Sequence, residues 1–91
     1  MGELIKYIRD GKDNHKKGVI ISLSSGSVGF SLCNEKAGDI FSRDRGMSIA
    51  RGRAEKNPIV LSFWELHRRY VPHSILDDVY KMLLRSESYF K

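Results

Sequence analysis

The chain has 91 residues, 41% of them hydrophobic and 30% charged, with a net charge of +5. That is the size of one small domain, 1–91, with enough apolar side chains for a modest core and too many for a disordered tail. The longest apolar run, "IVLSFW", is strand-sized and falls far short of the roughly 18 residues a membrane span needs. The single cysteine, Cys33, excludes an intrachain disulfide, and with the charged start "MGELIKYIRDGKD" it points to a reducing cytosol.

In chain order, Leu4, Ile5, Tyr7 and Ile8 predict one face of a short helix that ends at Gly11. A polar stretch, "KDNHKKG", leads into a predicted hairpin. Its strands are Val19–Leu23 and Val28–Leu32, and Ser25-Gly26 is read as a two-residue turn. Val28, Phe30 and Leu32 alternate on one face of the second strand. The other face is Ser27, Gly29, Ser31 and Cys33, a row small enough to let another element approach the backbone. Ser42 is placed to cap a helix running to about Lys56. On that helix Gly46, Ala50 and Ala54 recur at i, i+4, i+8 and form a stripe of small residues. Gly46 costs about 1 kcal/mol of helix propensity, which close packing of the stripe on the hairpin would offset.

Asn57-Pro58 breaks this helix, and Ile59–Phe63 reads as a third strand; residues 62–70 fit a strand or a helix. Ser74 and Asp77 mark the start of a last helix, 74–88, with an apolar stripe from Ile75 and Leu76 to Leu83 and Leu84. The expected fold is α+β: a small antiparallel sheet, made of the hairpin plus a third strand, with two to three helices packed mainly on one face. The free face or the sheet edges would then suit a homodimer.

The chemistry-bearing residues are sparse. His15, His67 and His73 lie at no metal-ligand spacing, so no metal is expected, and no phosphate-loop or dinucleotide fingerprint calls for a cofactor. Without an acid–base constellation no catalytic residue is assigned, and the chain reads as a non-enzyme. Asp77-Asp78 suits a helix start, where the dipole favours carboxylates. Trp64, Tyr70, Tyr89 and Phe90 are core or rim aromatics that could also stack on bases.

Charge is the remaining signal. Residues 43–56 carry Arg43, Arg45, Arg51, Arg53 and Lys56 against Asp44 and Glu55, a net +3. Arginine's planar fork suits phosphate or carboxylate. Ser31, Cys33 and Asn34 end a predicted strand, while Asp39, Phe41, Ser42, Arg43 and Arg45 surround a helix start, where free backbone N–H groups favour an anion. The candidate binding residues are therefore Ser31, Asn34, Ser42, Arg43, Arg45, Arg51 and Arg53. The competing reading is internal: Asp39 pairs with Arg43 or Arg53 and ties the loop to the helix.

From Ser31 to Ala54 the pattern S-x-C-N-x-x-x-D-x-F-S-R-x-x-G-x-x-I-A-x-G-R-A resembles a motif of small bacteriophage-encoded proteins, and the ending "LLRSESYFK" is similar to theirs. The loop "NEKAGDIF" departs from the family pattern, which has a shorter Lys-Asp-x-Phe. The resemblance implies a phage accessory protein in the host cytoplasm and supplies no catalytic residue. The expected function is binding of a host macromolecule, either an acidic protein surface or nucleic acid, through the arginine cluster. The alternative is a sponge that sequesters a small phosphate-bearing nucleotide signal.

Overall fold

The computed structural model describes residues 2–9, 16–33 and 42–90. Strands β1 (Glu3–Arg9), β2 (Lys16–Leu23) and β3 (Val28–Leu32) form an antiparallel sheet in the order β1-β2-β3. Two helices, α1 (Arg43–Lys56) and α3 (Leu76–Tyr89), bracket a run of short helical turns that includes α2 (Trp64–His67). The α+β class is as the sequence predicts.

The first element differs from expectation: Glu3–Arg9 is a strand, not a helix. Leu4 and Ile8 point to one side of it and Ile5 and Tyr7 to the other, aligned with Ser22, Gly18, Ile21 and Val19 of β2. Leu4 and Ile8 are buried, whereas Ile5 on the other row is exposed and Tyr7 half-buried, so apolar side chains on both rows hide the period of two that announces a strand. β1 is thereby the third strand. Ile59, predicted to start it, makes only an isolated bridge to Val28. The chain then turns into 3₁₀ geometry at Leu61–Phe63, so residues 61–70 are helical turns.

The hairpin loop is Ser24-Ser25-Gly26, one residue longer than predicted. The Gly26 amide donates to the Leu23 carbonyl and the Leu23 amide to the Ser27 carbonyl, each at 2.9 Å. Gly26 has φ of 88°, the left-handed position that closes a three-residue loop.

α1 and α3 lie on opposite faces of the sheet, where the sequence reading placed both on one. Val19 and Ile21 pack with Ala50 and Met47 of α1, whereas Ile20 and Val28 share a core with Val79, Met82 and Leu83 of α3. The consecutive Val19-Ile20-Ile21, all fully buried, is the sequence trace of a strand covered on both sides. The buried residues of α1 are Gly46, Ala50 and Ala54, the expected stripe. It crosses β3 at Gly29, where a Cβ would lie 2.5 Å from the Ala54 amide nitrogen. The small face of β3 thus receives the small face of α1, backbone against backbone. On the far side the Ser22 hydroxyl donates to Ser86 of α3, and Lys6 pairs with Asp78 at 3.2 Å. α3 begins without a side-chain cap, so Ser74 does not act as one; a 3₁₀ turn, His73–Ile75, leads in instead.

Candidate functional site

The predicted arginine cluster divides along α1. At its start Ser42 caps the helix, accepting from the Arg45 amide at 3.4 Å. Arg43 and Arg45 are exposed there, with Asp44 3.7 Å from the Arg43 guanidinium. Asn34 and the Asp39 pairing lie outside the described residues. Ser31 is buried on the face of β3 that receives α1.

Arg51 and Arg53 are tied to the sheet. Arg51 holds Glu3 of β1 through a two-pronged pair, Nε to Oε2 at 2.6 Å and Nη2 to Oε1 at 2.9 Å. Arg53 donates from Nη1 to the Phe30 carbonyl of β3 at 3.0 Å. β3 is an edge strand, and this bond covers part of the polar edge that such strands otherwise expose. α1 is therefore fastened to both outer strands by arginine.

The Glu3–Arg51 pair has a consequence for pH. The Arg51 hydrogen bond holds the Glu3 carboxyl below its ordinary value of 4.5, against burial, which raises it. A carboxyl with a depressed folded-state pKa contributes stability that is fully present above 4.5 and is lost as pH falls through the folded-state value. Thermal midpoints should therefore drop below about pH 4.5 and drop less in Glu3→Gln. Equal acid sensitivity in the two proteins would show that other carboxyls carry the effect.

The opposite end of α1 holds the more developed feature. A groove of about 690 Å³ runs between the edge of β3 and residues 57–71, lined among others by Phe30, Arg53, Lys56, Asn57, His67 and Tyr70. Among the described residues its lining includes Arg53, Lys56 and His67 and no carboxylate. Beside it an apolar stripe faces solvent: Phe63, Leu66 and Tyr70 are 57%, 56% and 84% exposed. Their i, i+3, i+7 spacing puts them on one side of the helical turns over 61–70, and His67 stands edge-on to Phe63 with centroids 6.3 Å apart. The inner side of the same turns is anchored: Leu61 and Trp64 pack on the core, and Trp64 lies 5.4 Å from Tyr80 of α3. Sequence reasoning fits residues 62–70 to a strand or a helix and misses this stripe: the spacing is present in the chain, but it does not say which side of so short a segment docks.

Among the described residues no cluster of His, Cys, Asp or Glu side chains is placed to hold a metal ion, and no helix is long and apolar enough to cross a membrane. Comparison with protein families, curated proteins and solved structures finds no match.

Proposed function

We propose that this chain is a non-enzymatic binding module that engages an acidic stretch of a partner protein at the groove and the apolar stripe beside it. One observation carries the reading: three large apolar side chains, Phe63, Leu66 and Tyr70, are left in solvent next to a groove whose charged lining, among the described residues, is Arg53 and Lys56. An exposed apolar patch with a polar rim marks a protein contact. Nucleic acid is the weaker reading, because it needs cations spread over one face. Here Arg51 is committed to Glu3, and Arg43 has Asp44 beside it. The setting implied by the motif resemblance belongs to the same proposal: a phage accessory protein acting on a host protein in the host cytoplasm.

The test is a photo-crosslinking residue at position 70, with position 89, also exposed, as control. The expected result is a discrete protein captured at 70 and not at 89. Once purified, that protein should bind Leu66→Ser/Tyr70→Ala more weakly by about 2 kcal/mol or more. Capture abolished by nuclease, or a small nucleotide released on denaturation, would overturn the reading. So would capture of a second copy of this chain, which would make the groove a homodimer contact. If Arg43→Ala/Arg45→Ala loses more binding than the groove variant, the site lies at the start of α1.

A further inference from the structure

We infer that Arg53 is a carboxylate receptor: the groove takes an acidic side chain of the partner onto the guanidinium, with an adjoining apolar group over Phe30 and Tyr70. This rests on the protein-binding reading above and adds which atom of the groove selects the ligand. Arg53 is unlike an ordinary surface arginine in being held. Its bond to the Phe30 carbonyl at 3.0 Å fixes one edge of the planar guanidinium against β3. A guanidinium has five N–H donors, so the remaining ones keep a defined direction, and less side-chain entropy is lost when a carboxylate docks. Lys56, one turn on from Arg53 along α1, and His67, from a separate element, line the same groove.

A plainer account is that Arg53 and Lys56 only offset the partial negative charge at the C-terminal end of α1. That account explains neither the sideways attachment of Arg53 to the strand nor the aromatic side chains in the lining. Phe30 and Tyr70 give the groove an apolar component that a bare counter-charge does not need. A carboxylate beside an apolar group matches both parts.

The probe is phenylacetate, compared with phenylacetamide, which has the same ring and no charge, and with phenyl phosphate. Side-chain NMR of Arg53 Nε–H and of the Tyr70 ring reads binding on the intact chain. Phenylacetate should move both signals with a saturable midpoint in the millimolar range, about tenfold tighter than the amide. Arg53→Lys, which keeps the charge but not the fork, should weaken phenylacetate binding by about tenfold while the Tyr70 ring remains folded in place. Equal response to the amide, no saturable shift, or an unchanged midpoint in Arg53→Lys overturns the inference. A clear preference for phenyl phosphate also overturns it, in favour of a phosphate ligand. These failures are separable from failure of the wider reading: a protein captured at position 70 and weakened by Leu66→Ser/Tyr70→Ala would still stand, held by the apolar stripe alone.

Discussion

Gly29→Ala is expected to lower stability by about 3 kcal/mol or more, the upper end of the cost of overpacking. The added methyl has nowhere to go. It would meet the Ala50 carbonyl oxygen, and the Ala54 amide nitrogen at 2.5 Å, both backbone atoms of α1. A flexible side chain could rotate away; a helix backbone moves only as a whole, and the buried stripe of Gly46, Ala50 and Ala54 would lift with it. In a domain this small each kcal/mol shifts the melting temperature by about 4–8 °C, so the variant should melt well below the parent. Ala50→Leu presses the same contact from the helix side and should cost about 1–3 kcal/mol. If Gly29→Ala melts like the parent, α1 does not lie on β3 at the described distance.

Ile20→Ala should cost about 2–5 kcal/mol, as large-to-small changes in cores do. Ile20 is fully buried in the middle of the central strand, opposite Lys6 of β1 and Phe30 of β3. It belongs to the core shared with α3, so truncation leaves a cavity between layers that are held from both sides. The informative contrast is Leu66→Ala, which removes a comparable apolar volume from the exposed stripe and should change stability by no more than about 0.5 kcal/mol. Denaturant melts of the two variants measure the difference. A large loss at Leu66 would make the stripe part of the fold, and its exposure would no longer point to a partner.

The parts of the fold that could be read from the sequence are those set by neighbours along the chain. The hairpin strands, the stripe of Gly46, Ala50 and Ala54, and the small face of β3 all follow from local periodicity. The reading failed where a distant element decides. Residues 3–9 are a strand because they pair along their length with β2, whose partner residues lie at 16–23 and not within the segment itself. The same applies to the arginines. Arg51 finds its partner 48 positions away, at Glu3. Arg53 bonds a main-chain oxygen 23 positions back, and no side-chain pattern encodes such an acceptor. The cluster therefore looked like one site when it is three separate placements: the exposed start of α1, the clasp to β1 and the groove beside β3. The groove itself forms between β3, the end of α1 and the turns after Pro58. These pieces come from separate parts of the chain, and no local period announces their meeting.

The central position of β2 also bears on the order in which the molecule can assemble during synthesis. Each strand pairs with its neighbour along the chain, and α1 comes next of the described elements, so residues 3–56 contain the three strands and the described residues that pack on the Val19/Ile21 side. That half can close while α3 is still being translated. The other side cannot: the core around Ile20 and Val28 begins with Ile59 and Val71 and is complete only when Val79, Met82 and Leu83 arrive. A nascent chain that formed the sheet before α3 was made would carry one greasy face, the kind of surface that chaperones recognise and that associates when crowded.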